Sequence, residues 1–109
     1  MDLVDAHVHR FNNAVRHGDW EAFGSGFTAD ATVSIDYAPI PPMVGREAIV
    51  AGYRAAPPDD TITVLSTSAD GDTVSVTFAW DTSPGEPAGT MDMRVTGGLI
   101  SSLKVGRQF

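Results

Sequence analysis

Residues 10–33, RFNNAVRHGDWEAFGSGFTADATV, limit the possible folds more than any other part of this chain. Upstream and within this stretch, Val4, Val8, Phe11 and Val15 recur at helical spacing, which predicts one buried stripe on a first helix over residues 2–17. Gly18 suits a left-handed position just past that helix, because it has no Cβ to clash there. Asp19 is then placed to cap the next helix, its carboxylate accepting from free amides of the first turn. Trp20, Phe23 and Phe27 follow at i, i+3 and i+7, so a second, shorter helix would aim three aromatic rings to one side. Two helices bent against each other, each with a large apolar face, need a broad apolar surface to cover. Strands from the rest of the chain can supply it.

ATVSIDY alternates as a first strand, with Val33, Ile35 and Tyr37 on one face and Thr32, Ser34 and Asp36 on the other. APIPPMVG is too rich in proline for a central strand and reads as a rigid loop, with Tyr37 and Ala38–Pro42 near a rim. REAIVAGYRAA predicts a third helix with Ile49, Val50 and Tyr53 buried, ended by Pro57 and Pro58. TITVLSTS and TVSVTFAW read as strands joined by ADGD, a turn built on Asp70-Gly71. In the second, Val74, Val76, Phe78 and Trp80 share a face opposite Ser75, Thr77 and Ala79. TMDMRV, the pair Gly97-Gly98 and LISSLKV form a closing hairpin. One strand face is thus apolar and the other is Thr- and Ser-rich with a few charges. This predicts an α+β fold in which a bent, mostly antiparallel sheet wraps around helices from the N-terminal half.

At 109 residues the expectation is a single domain, 1–109, with one core. The N-terminus MDLVDAHVHR begins acidic, unlike a signal peptide, and no apolar run approaches a membrane span. The absence of cysteine is compatible with a reducing cytoplasm, the expected location. A net charge of −7, with no two of the seven basic residues adjacent, argues against a nucleic-acid partner. DAHVH matches the Asp-x-His-x-His metal motif of barrel amidohydrolases. That motif needs a strand, where alternate residues share a face; on a helix His7 and His9 point about 200° apart. No metal and no cofactor is therefore expected. His7 borders the apolar stripe one turn before Phe11 and is of interest by itself.

RFNNAVRHGDWEAF, FTADATV, GREAI and VTGGLISSLKV, in that order and spacing, resemble the nuclear transport factor 2-like superfamily, in particular its SnoaL-like and ketosteroid-isomerase-like members. The resemblance runs from Val8 to Val105. It implies a cone: a cystatin-like α+β roll whose strongly bent sheet curls around three helices and encloses an apolar pocket. It also implies a homodimer paired through the outer sheet face, where Thr32, Ser34, Thr77, Ala79, Thr90 and Ser102 are small. Members include isomerases, cyclases, epoxide hydrolases, adaptors and non-catalytic pocket proteins, so the fold alone does not set the activity.

The steroid isomerases of the superfamily use a tyrosine donor, an aspartate base and a second, protonated aspartate. Carried over by position, the tyrosine falls on Phe11, which has no proton to donate. The base falls on Ile35, with Asp36 one residue late, and the second aspartate falls on Met91, with Asp92 one residue late. A one-residue offset in a strand moves a side chain to the other face. The epoxide hydrolases need Arg-x-Asp on one strand, where this chain has the reverse, Asp92-Met93-Arg94. An outer-face ion pair of Asp92 with Arg94 is the expectation instead.

What the resemblance leaves is an apolar chamber. The expected lining is His7, Phe11, Trp20, Phe23, Phe27, Ile35, Tyr53, Phe78, Trp80, Met91 and Met93, each of which could equally be plain core. Tyr53, Trp80 and His7 pair an apolar body with a polar tip and are the expected polar contacts. The leading reading is a protein that binds a small, largely apolar molecule of polycyclic, steroid- or polyketide-like kind. The alternatives are an acid-base isomerase or cyclase using His7, Asp36 or Asp92, and a non-catalytic dimerisation or adaptor domain with a filled core.

Overall fold

The computed structural model describes residues 2–36 and 40–107, apart from the side chain of residue 107. The expectations for Tyr37, Ala38 and Pro39 lie outside the described residues. The elements run α1 (Leu3–His17), α2 (Trp20–Gly24), β1 (Phe27–Ile35), β2 (Met43–Val44), α3 (Arg46–Ala55), β3 (Ile62–Asp70), β4 (Thr73–Trp80), β5 (Gly89–Thr96) and β6 (Leu99–Arg107). The six strands form one sheet in the order β2-β1-β6-β5-β4-β3. All neighbours are antiparallel except β1 and β6, which run parallel. This is the α+β architecture expected from the alternation of apolar and polar strand positions, and the cystatin-like roll that the resemblance implies.

The ends of α1 and α2 form as their residue types dictate. Asp2 caps α1 by accepting from the Asp5 amide at 2.8 Å. Gly18 takes φ 75°, and its amide closes the last turn on the Ala14 carbonyl at 2.7 Å. Asp19 caps α2 through the Ala22 amide. The buried stripe of α1, however, is Val4, His7, Phe11 and Ala14, with Val8 and Val15 at its margin. The period is as read, but the helix is rotated, because small Ala14 and the flat ring of His7 fit closest to the other elements.

The second helix is also shorter than its aromatic spacing suggests. It ends at Gly24, and Phe27 opens β1 instead of closing a helix. A Cβ on Gly24 would lie 2.4 Å from Val50 Cγ2, so α2 can rest on α3 only where it carries no side chain. Phe27 still joins Phe23, with ring centroids 5.3 Å apart, because the chain reverses between them. The proline-rich segment holds one correction: Met43 and Val44 pair with β1 as a short edge strand, a place that tolerates neighbouring prolines.

Three register shifts bend the sheet. They fall between Phe27 and Thr32, between Val64 and Ser66, and between Arg94 and Val95. Leu65 is the extra residue of β3 and is 40% exposed for that reason. The bulge at Ser101 lets Ile100 and Leu103 both turn inward although they are three residues apart. Gly97 and Gly98 both have positive φ, as a two-residue hairpin turn of this kind requires. No helix among the described residues is long and apolar enough to cross a membrane.

Candidate functional site

The curvature leaves space at one end of the concave face. A chamber of about 60 Å³ is lined by Phe11, Ile35, Tyr53, Pro58, Ile62, Phe78, Trp80, Met91, Leu103 and Val105. It opens into a wider mouth of about 320 Å³ that shares Ile35, Tyr53, Pro58 and Trp80 and adds Ile40, Met43, Gly52, Ala56 and Asp59. Together they form a funnel whose narrow part is wholly apolar apart from the tips of Tyr53 and Trp80.

Backbone-directed hydrogen bonds hold the funnel open. The Asn12 amide clamps both polar groups of Ile62, donating to its carbonyl at 2.9 Å and accepting from its amide at 2.8 Å. That clamp fixes the edge strand β3 against α1 and sets Ile62 in the chamber wall. Asp60 accepts from the Thr82 hydroxyl at 2.6 Å and from the amides of Thr82 and Thr61, while Asp81 accepts from the hydroxyls of Thr63 and Thr61. Those donors hold both carboxyls below the usual carboxylate range, the Thr82 hydroxyl acting most on Asp60 and the Thr61 hydroxyl most on Asp81. Arg46 reaches from the start of α3 to the Phe27 carbonyl, which ties the helix to the irregular start of β1.

Six of the residues expected in the pocket line the chamber: Phe11, Ile35, Tyr53, Phe78, Trp80 and Met91. The other five lie elsewhere. Trp20, Phe23, Phe27 and His7 form a packed aromatic cluster next to the Phe11 and Tyr53 wall of the chamber, and Met93 is wholly buried in the core. Trp20 stacks on Tyr53 at 5.2 Å and 20° and meets Phe11 at 6.3 Å, so these two rings join the packed cluster to the funnel. Sequence reasoning missed Pro58, Ile62, Leu103 and Val105 in the wall. Val105 was visible in principle, as an inward position two residues beyond Leu103.

His7 is 2% exposed, with its ring 5.5 Å from Phe23 and 5.9 Å from Phe27. Burial, reinforced by the Arg10 charge one turn away, lowers its pKa from 6.5 to about 4. At neutral pH it is therefore an uncharged part of the core. His9, two residues on, is exposed, as the helical geometry requires.

Asp36 and Asp92 are both exposed, and neither lines the chamber or its mouth. Asp36 lies beside Gly106 at the end of β1, and Asp92 accepts from the Ser75 hydroxyl at 2.7 Å. The expected ion pair of Asp92 with Arg94 does not form; among the described residues the only salt bridge joins Arg54 and Glu21. The serine hydroxyl lies directly across the ladder from Asp92 and reaches it first. Among the described residues, the one carboxylate on the funnel is Asp59, at the mouth.

The fold has parallels among solved structures. A protein from Sphaerobacter thermophilus superposes with a TM-score of 0.77 at 19% identity, covering 98% of this chain and 94% of that one. A candidate polyketide cyclase from Sinorhizobium meliloti gives 0.63 at 24% identity, over 96% and 99% of the two chains. A hypothetical protein with a ketosteroid isomerase-like fold from Catenulispora acidiphila, in complex with trimethylamine, gives 0.67 at 25% identity, over 91% and 82%. No curated protein matches the chain. In sequence, the SnoaL-like domain profile matches residues 8–103. With nearly its whole length matched and the bent sheet of its structural relatives, this chain belongs to the SnoaL-like domain family.

Proposed function

We propose that the protein binds a small, largely apolar molecule in the funnel. The observation that carries this reading is the apolar chamber continuous with a mouth of about 320 Å³, both lined almost entirely by apolar and aromatic side chains. Sites that hold small molecules have this character, with apolar walls and few polar groups. The chamber takes a compact group, and a polycyclic skeleton would rest mostly in the mouth. The trimethylamine held by the Catenulispora protein supports a small-molecule role for this scaffold. An isomerase or cyclase role through Asp36 or Asp92 is disfavoured by their placement outside the funnel. We also propose a homodimer through the outer sheet face, where Thr32, Ser34, Thr77, Thr90 and Ser102 remain partly accessible. Ala79 is buried and not part of that patch.

Ala56 offers a direct test. It is exposed at the end of α3 and lines the mouth, so Ala56→Trp should plug the funnel without disturbing the core. A panel of steroids, polycyclic aromatics and terpenoids should shift the Trp80 indole resonance and raise the melting temperature of the parent protein, and do neither in the plugged variant. No response in the parent favours a filled, non-catalytic domain. Light scattering at micromolar concentration should give the dimer mass; a monomer excludes the outer-face pairing.

A further inference from the structure

We infer that the funnel takes a small organic amine, bound as its ammonium ion at the junction of chamber and mouth with a compact apolar substituent directed inward. The inference rests on the binding role proposed above and narrows it to one chemical class.

Three independent features of the funnel support this class. The first is size. A chamber of about 60 Å³ is well short of the roughly 150 Å³ that houses a benzene ring, so it suits a branched alkyl group. The second is charge. Asp59 is the only charged side chain among the described residues of the lining, and no hydrogen bond or ion pair among them engages it. Its neighbours Asp60 and Asp81 are occupied by threonine hydroxyls and lie outside the lining. None of the described Lys and Arg side chains lines the funnel: Arg46 bonds the Phe27 carbonyl, Arg54 pairs with Glu21, Arg10 lies near His7, Arg16 near Asp81, and Arg94 and Lys104 line a cleft on the outer face. An ammonium ion gains from this arrangement, whereas an anion would meet only Asp59 on the described wall. The third is the aromatic corner. Phe78 and Trp80 meet at 87° with centroids 5.6 Å apart, and both line the chamber beside Tyr53. A cation near such ring faces is attracted by their quadrupoles, Trp most strongly.

Three probes with one carbon skeleton separate charge from shape: isopentylamine, isopentyl alcohol and isovalerate, which are cationic, neutral and anionic at neutral pH. Titrated into the intact protein and followed at the Trp80 indole resonance, the amine should bind about tenfold tighter than the alcohol, and isovalerate weakest. Asp59→Asn, at an exposed position, should remove most of the amine's advantage and leave alcohol binding unchanged. Equal or tighter binding of the alcohol or of isovalerate overturns the amine assignment while leaving the funnel a binding site. An unchanged amine affinity in Asp59→Asn overturns the role of that carboxylate. If none of the three binds and the larger apolar panel also fails, the binding role itself falls.

Discussion

The two ends of the concave face are equally aromatic and physically opposite. At the closed end His7, Trp20, Phe23 and Phe27 pack ring against ring, with centroids 5.2–5.9 Å apart. At the open end Phe78 and Trp80 are just as close to each other, at 5.6 Å, yet border a void. The difference is the number of elements that converge. α1, α2 and the start of β1 all bring rings to the closed end, whereas among the described residues the open end is roofed by Phe11, the last turns of α3 and Pro58. Aromatic content therefore does not reveal which residues build a core and which build a cavity wall. The local supply of opposing surface decides it.

The comparison breaks first under truncation. Phe23→Ala should cost near the upper end of the roughly 3–5 kcal/mol range for a buried phenylalanine, because every side of its ring is in contact. Phe78→Ala should fall near the lower end of that range, since part of its ring already faces empty space. Urea unfolding of both variants measures the gap, and equal losses would mean that the ends are packed alike.

Between pH 6.5 and about 4, acid should act on the closed end through His7. The folded state keeps His7 neutral down to pH about 4, whereas the unfolded chain protonates it from about 6.5. The unfolded state thus binds the extra proton within that window. His7's contribution is fully present above pH 6.5 and is lost as the pH falls toward 4, about 3 kcal/mol in all. His7→Phe should flatten that part of the stability–pH curve, which chemical denaturation at a series of pH values will report. A slope unchanged by the substitution would place the sensitivity elsewhere.

The smallest effects belong to the outer face. Asp36→Asn and Asp92→Asn should each change stability by no more than about 0.5 kcal/mol, the range of an ordinary exposed site. Ligand affinity should not move with either. Turnover of a ketosteroid abolished by Asp36→Asn would instead give that carboxylate access to the funnel and revive the isomerase reading.

Much of this fold was legible because it is written in local chemistry. The Asp19 cap, the Gly18 stop and the Gly97-Gly98 hairpin depend on a few neighbouring residues, and each forms where the residue types require. The rotation of α1 was not legible, because Val8 and Ala14 are both acceptable on a buried stripe until the opposing rings are in place. Nor was the move of Phe27 from helix to strand, since α2 ends at Gly24 and Phe27 opens β1. In the site, Asp36 and Asp92 were readable from strand alternation, while His7 and Trp20 were not separable from Phe78 and Trp80.

By itself, then, the sequence determined the element types, the apolar strand face and the SnoaL-like resemblance, all of which follow from period and turn chemistry over short spans. Tertiary structure decided where the concave face is full and where it is hollow. A cavity is the shortfall between surfaces brought together from distant parts of the chain. Asn12 meeting Ile62 across fifty residues, or the Ser101 bulge turning Ile100 and Leu103 inward together, sets that shortfall, and neither leaves a local signal in the sequence.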